Sequence, residues 1–222
     1  MPRRRPSPRK DKWSKKMWFR VFTPPAFGLK EIAYVPANSP KHLLNRTLEV
    51  SLFELTGDFN QQHIKLKFQI KHVEGDKAYT QFKGQELTRD YIRSIVRRGT
   101  SKVEGFFDVY TKDGALLRVA GLAITLRRAK VSQKKAIRKI MKEIIEKKAQ
   151  ELTFDEFIRE SVLGGIAKEI FEKARKIYPL SKAEIEKIKV LKFPEVDLRE
   201  IVKKLEEKMS KEKVAEKTPI SS

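Results

Sequence analysis

The stretch from Leu87 to Arg128 constrains the fold more than any other part of the chain. Asp113-Gly114 is a strong hairpin-turn signal. It joins a strand from Val103 to Tyr110 to a second one, about Ala115 to Leu126, that is almost wholly apolar and stops abruptly at Arg127-Arg128. Ahead of the hairpin the pattern is helical. Thr88 suits an N-cap, and Asp90 suits the positive end of a helix. Tyr91, Ile92, Ile95 and Val96 recur at helical spacing and form one apolar arc. Arg89, Arg93 and Arg97 recur every four residues along one edge of that arc, with Arg98 on the other edge and Gly99 as a left-handed stop. The segment therefore combines a hairpin, core-making residues and a basic row held on a helix.

Further strands surround it. Ile64, Leu66, Phe68 and Ile70 alternate with Lys65, Lys67, Gln69 and Lys71, the cleanest period-two run in the chain. One face enters a core and the other shows Lys65, Lys67 and Lys71. That row suits RNA contact, and it equally suits a solvated strand face that deters edge aggregation. Leu48, Val50 and Leu52 alternate in the same way, Gly75-Asp76 marks a turn, and Ala78 to Lys83 reads as another strand. A short strand near Ile32 to Val35 fits the Pro-rich entry. The expectation is an α+β fold: a mostly antiparallel curled sheet or small β-barrel with an embedded helix, followed by a helical C-terminal portion.

The period changes at Val131. Ile137, Ile140, Met141, Ile144 and Ile145 make a helical stripe. Thr153 and Glu156 form a capping box for a third helix, Gly164-Gly165 break or bend it, and a fourth ends before Pro179. The domain reading is a basic arm over residues 1–20, a β-rich body over 21–130 with the helix at about 88–98, a mainly helical portion over 131–209 with a strand at about 186–193, and a disordered tail over 210–222. A last short helix is expected from Asp197 through Leu205.

Charge narrows the function. The chain carries 50 Lys and Arg against 29 Asp and Glu, a formal net charge of +21. Self-repulsion on that scale destabilises a compact state unless a polyanion neutralises it. Nucleic acid is the first candidate partner; an anionic membrane surface and a merely solvated, thermophile-like surface are the others. The excess is local. Residues 1–20 hold nine basic side chains (Arg3, Arg4, Arg5, Arg9, Lys10, Lys12, Lys15, Lys16 and Arg20) against Asp11 alone, and Trp13, Met17, Trp18 and Phe19 interrupt them. Those large side chains either pack on the body or stack on bases, and packing is the expected role. Residues 127–148 hold ten, Arg127, Arg128, Lys134, Lys135 and Arg138 among them, against Glu143 and Glu146. They crowd the start of a helix, where the macrodipole disfavours cations.

Other chemistry lacks its signatures. Cysteine is absent, which excludes disulfides and thiolate metal sites. The basic N-terminus has no apolar stretch of the secretory type, and no apolar run approaches the roughly 20 residues that span a bilayer, so a soluble intracellular protein is expected. His42, His63 and His72 show no zinc spacing, and no nucleotide-binding or nucleophile-elbow motif occurs. No catalytic residue, cofactor, metal or small-molecule substrate is expected.

The order of several short blocks resembles a known family. These are Glu49-Val-Ser-Leu-Phe-Glu-Leu55, Leu87-Thr-Arg-Asp90, Val109-Tyr-Thr-Lys-Asp-Gly114 with Leu116-Leu-Arg118, Ile177-Tyr-Pro-Leu180 and Ile188-Lys-Val-Leu-Lys192. Together they span about residues 13–198 and are similar to the small-subunit ribosomal protein family of archaea and eukaryotes called S-three-A-e (also e-S-one), in an archaeal-type form. The resemblance implies a non-catalytic structural protein with a β-barrel-like body and attached helices. It implies a cytoplasmic place in the ribosome, on the small-subunit platform near the mRNA exit, against rRNA and neighbouring ribosomal proteins. The family favours Gly before Arg46, whereas this chain has Asn45, the commonest non-Gly residue in left-handed geometry. The contact residues come from charge and spacing, not from a family motif. They are Arg3, Arg4, Arg5, Lys10, Lys12, Lys15, Lys16, Lys65, Lys67, Lys71, Arg89, Arg93, Arg97, Arg98, Arg127, Arg128, Lys134, Lys135 and Arg138. A free nucleic-acid-binding or RNA-chaperone protein and an RNA-modifying enzyme are the rival readings.

Overall fold

The computed structural model describes Trp13 and residues 16–194. Within them the chain runs β1 (Met17–Phe22), β2 (Glu31–Ala37), β3 (Thr47–Ser51), α1 (Leu52–Thr56), β4 (Ile64–Glu74), β5 (Lys77–Leu87), α2 (Arg89–Ile95), β6 (Lys102–Tyr110), β7 (Leu116–Thr125), α3 (Val131–Glu151), α4 (Phe154–Val162), α5 (Gly165–Arg175) and β8 (Leu180–Lys192). The fold is α+β, with the larger helices in the C-terminal half.

All eight strands join one sheet, and β5 is its branch point. One edge of β5 pairs with β4, which pairs in turn with β3. The other edge is shared. Lys77–Tyr79 lie parallel to Arg20–Phe22 of β1, and Gly84–Glu86 lie antiparallel to Lys187–Lys189 of β8. β1 leads out to β2, and β8 leads out to β7 and β6. The sheet is open: β2, β3 and β6 each pair on one side only. Every pairing is antiparallel except β1–β5. Of the two arrangements the alternating pattern allows, curled sheet or closed barrel, the branching selects the open one.

Local chemistry accounts for the elements. In β4, Leu66, Phe68 and Ile70 are fully buried, while Lys65 and Lys71 stay exposed. In β7, every residue from Val119 to Thr125 is buried; successive side chains point to opposite faces, so this strand is covered on both. Ile137, Met141, Ile144 and Ile145 of α3 enter the main core. A side chain on Gly121 of β7 would meet the Met141 sulfur at 3.3 Å, so glycine there lets α3 settle onto the sheet. A smaller core of Phe19, Val21, Ala37, Leu43, Ile70 and Ala78 closes the β1–β2 end.

Several turns follow their sequence signals. Gly114 adopts φ 75° and its N–H bonds the Thr111 carbonyl, closing the β6–β7 hairpin. Gly164, at φ 81°, separates α4 from α5, and Asn45 takes the left-handed φ of 66°. Thr153 and Glu156 make the capping box of α4. Asp113 has a second use: its carboxylate accepts the Phe154 N–H at 2.9 Å, tying the hairpin tip to the start of α4.

Other elements differ from the periodicity. The arm's last residues form β1, so the β-rich body begins at Met17. Leu52 starts a helix instead of prolonging β3, because Ser51 and Glu54 form a capping box. β8 covers 13 residues and begins at Leu180, well ahead of the strand expected at about 186–193. The helix after Thr88 stops at Ile95, since Val96 takes extended dihedrals, and no residue of α2 is buried. Of its apolar arc, Tyr91 stacks on His63, just ahead of β4, with ring centroids 3.7 Å apart. The short helix expected beyond Asp197 and the tail over 210–222 lie outside the described residues.

The branch depends on close approach at Gly84. A Cβ there would sit 2.5 Å from the Ile188 carbonyl oxygen, a backbone atom that cannot rotate away. Gly84→Ala should lower stability by about 2 kcal/mol, as overpacking typically does, measured as a reduced urea midpoint. An unchanged midpoint would show that β5 and β8 separate without cost.

Candidate nucleic-acid interface

Basic side chains divide into two populations. The first is spent on internal carboxylates. Lys67 binds Glu86 at 2.9 Å and Glu49 at 3.1 Å, and Lys187 adds a contact to Glu86 at 3.3 Å. Hydrogen bonding to Glu86 and Glu49 raises the Lys67 pKa, and the Lys67 hydrogen bond holds Glu86 below the usual carboxylate range. Arg20 pairs with Asp76, Arg118 with Asp108, and Lys148 with Glu160. Lys67 therefore interrupts the lysine row expected along β4: Lys65 is exposed on one side of it, and Lys71 on the other lies 5.5 Å from the Phe193 ring.

The second population has no such partner. Among the described residues, no ion pair involves Arg89, Arg93, Arg97, Arg98, Arg127, Arg128, Lys130, Lys134, Lys135 or Arg138. All are exposed except Lys134, which is half-buried. Arg138 also fastens α3 to β6, its Nε donating to the Glu104 carbonyl at 2.7 Å.

Tertiary structure brings two runs of this population, Arg97-Arg98 and Arg127-Arg128, to one place. Ser101 and Thr125 form a buried node at the open end of the β6–β7 hairpin. The Ser101 N–H donates to Thr125 Oγ1 at 2.9 Å, and the Thr125 N–H donates to the Ser101 carbonyl at 3.1 Å. The Thr125 hydroxyl donates to the Arg127 carbonyl at 2.6 Å, and the Ala129 N–H donates to Ser101 Oγ at 3.1 Å. From behind, Leu126 N–H bonds the Pro179 carbonyl and the Tyr178 hydroxyl donates to the Arg128 carbonyl. Arg97 and Arg98 enter the node; Arg127 and Arg128 leave it and lead into α3 with Lys134 and Lys135. The Arg row itself is shorter than its spacing suggests. Arg89 and Arg93 lie on α2, while Arg97 and Arg98 sit in the turn before β6. Nothing in the separate runs announces the node, since Ser and Thr are common in any loop.

The N-terminal expectations divide. Phe19 packs in the small core at 2 % exposure, as anticipated for the large side chains of this stretch. Trp18 does not pack: it is 59 % exposed on β1, across from Pro36 of β2. The alternation of a strand sends neighbours to opposite faces, and only one face of β1 is covered. Lys16 lies 3.6 Å from the centre of the Trp13 ring. Arg3, Arg4, Arg5, Lys10, Lys12 and Lys15 lie outside the described residues.

Comparison with known proteins gives one consistent result. A model of the ribosomal S3Ae family matches residues 5–194. The chain is similar to the small ribosomal subunit protein eS1 of Saccharolobus solfataricus, with 53 % identity over 186 residues, covering 84 % of this chain and 89 % of that protein. The proteins of the same name from two Saccharolobus islandicus strains, L.S.2.15 and M.14.25, are 52 % identical over the same shares.

The node is testable apart from any partner. Thr125→Val keeps the shape but leaves the Ser101 N–H and the Arg127 carbonyl without their bonds. It should cost roughly 1–3 kcal/mol, the range for an orphaned buried polar group. Amide exchange at Ser101 should accelerate relative to the sheet centre; unchanged exchange would show that the node does not hold the two loops together.

Proposed function

Because this chain belongs to the ribosomal S3Ae family, we propose that it is a structural constituent of the small ribosomal subunit, acting in translation and bound to small-subunit rRNA through the basic base of the β6–β7 hairpin. The observation that carries the rRNA contact is the gathering of unpaired Arg and Lys around the Ser101–Thr125 node. Folding leaves these charges unused, although carboxylates are available elsewhere on the surface.

Arg97, Arg98, Arg127 and Arg128 project from a braced loop pair. Their planar guanidinium groups suit bidentate contact with phosphate. Lys134, Lys135 and Arg138 extend the surface along α3, and Arg89 and Arg93 extend it along α2. Selectivity arises from the shape of folded RNA and its irregular loops, because the narrow major groove of an RNA duplex resists side-chain reading. Lys65 and Lys71 contribute as isolated charges, and Lys67 stays with its carboxylates. Contact by Lys16 and by Arg3, Arg4, Arg5, Lys10, Lys12 and Lys15 rests on charge alone. The family resemblance supports a position on the platform near the mRNA exit, beside neighbouring ribosomal proteins, in the cytoplasm. The chain is assigned no catalytic role, in keeping with relatives named as ribosomal proteins.

Two measurements test this. Binding of the isolated protein to a small-subunit rRNA platform fragment should weaken steeply with salt. Replacing Arg97 and Arg128 with Gln should reduce the log–log slope by about one for each lost phosphate contact. A slope that both wild type and variant share would remove the node from the interface. In lysate gradients the chain should sediment stoichiometrically with the small subunit at moderate salt. A position at the top of the gradient would favour a free RNA-binding protein or a modifying enzyme instead.

A further inference from the structure

A cleft of about 430 Å³ opens between the ends of β4 and β5, the start of β8 and the turn from α4 to α5. That volume falls within the roughly 300–1,000 Å³ typical of small-molecule sites. Ile64, Leu87, Leu163, Phe171 and Ile185 supply apolar walls. Two buried polar side chains are among the residues that line it. Gln85 and Ser161 are each only 3 % exposed, and neither Gln85 Oε1 nor Ser161 Oγ has a hydrogen-bond partner. A buried polar atom without a partner is costly and rare in a folded chain.

The mouth is joined to the basic surface. His63 lines the cleft and stacks on Tyr91 of α2. The Tyr91 hydroxyl donates to Glu184 at 2.5 Å and receives Lys182 Nζ at 3.1 Å. Tyr91 thus anchors at the cleft the same short helix that carries Arg89 and Arg93. Lysines and glutamates share the lining, Lys168 and Lys182 with Glu172 and Glu184, so the cleft favours neither sign of ion.

We propose that this cleft holds a single unstacked base of the bound RNA. The inference rests on rRNA being the partner. A nucleobase is planar and uncharged, with apolar faces for the walls and a hydrogen-bonding edge that carries a donor beside an acceptor. The donor satisfies Gln85 Oε1 and the acceptor takes the Ser161 hydroxyl proton. Amide side chains are established partners of base edges in this sense. An aliphatic side chain from a neighbouring protein would leave both groups unsatisfied, and a charged one would meet opposing charges in equal number. Recognition of splayed-out bases in apolar pockets is the common route to sequence-dependent RNA binding.

The test uses the full chain with methyl-labelled Ile, Leu and Val, titrated separately with AMP, CMP, GMP, UMP and ribose 5-phosphate. At least one mononucleotide should shift the Ile64, Leu87 and Ile185 methyl signals with millimolar affinity, while ribose 5-phosphate leaves them in place. Gln85→Leu and Ser161→Ala should each weaken that binding about tenfold, the loss of one well-made hydrogen bond. Should Gln85→Leu not fold, Ser161→Ala and the wild-type titration decide alone. No shift with any nucleotide, or equal shifts with ribose 5-phosphate, overturns the base site. Nucleotide affinity unchanged by the substitutions overturns it as well. If the rRNA fragment still binds wild type with a steep salt slope in those cases, the rRNA reading survives the loss of the base site. If nucleotides bind in the cleft but the fragment does not bind, the rRNA reading fails and the pocket stands.

Discussion

The architecture depends on three consecutive residue pairs. Gly84, Gln85 and Glu86 of β5 meet Lys189, Ile188 and Lys187 of β8. This short ladder joins the N-terminal strands to the β6–β7–β8 half that carries the long helices. Its geometry is unforgiving, because the Ile188 carbonyl lies where a Cβ of residue 84 would stand. Glu86 reinforces it by collecting Lys67 from β4 and Lys187 from β8, so one carboxylate spans three adjacent strands. Gln85, between them, lines the cleft. Its position is governed by the main-chain ladder, which helps explain why a buried amide oxygen can be left without a partner.

Charge follows a division of labour set by packing. Carboxylates are drawn to strand faces and helix surfaces where Lys67, Arg118, Lys148 and Lys173 already lie. Each exposed pair of this kind contributes little to stability, but the carboxylates it occupies are unavailable to the hairpin base. Among the cations left without an ion pair are those around the Ser101–Thr125 node and at the start of α3. There the macrodipole disfavours cations, and no ion pair engages these side chains among the described residues. On the proposed reading a polyanion removes that repulsion, and the buried hydroxyl network joins the two loops that would meet it.

Much of this was legible in the sequence. Period two identified β4, the Asp113-Gly114 turn identified β6–β7, the Ile stripe identified α3, and Thr153 with Glu156 marked the start of α4. Ser51 and Glu54 carry the same capping signal, which the alternation of Leu48, Val50 and Leu52 obscured. The length of α2 was less legible, because Arg89, Arg93 and Arg97 keep helical spacing beyond the point where Val96 leaves the helix. The fate of the large N-terminal side chains was half legible: alternation separates Phe19 from Trp18, yet does not say which face is covered.

The sequence by itself determined the α+β class, the sites of the turns, the membership of an S3Ae-type family and the size of the positive charge excess. These follow from local periodicity, backbone preference and composition, which need no knowledge of distant neighbours. Tertiary structure alone decided that the sheet branches at β5 and stays open, that Lys67 is occupied, that residues 97–98 and 127–128 flank one node, and that Gln85 and Ser161 face a common cleft. Each of these depends on contacts between segments tens of residues apart. Such contacts are selected by which faces can be buried together and which polar groups find partners once they are, and neither is written in any single stretch of chain.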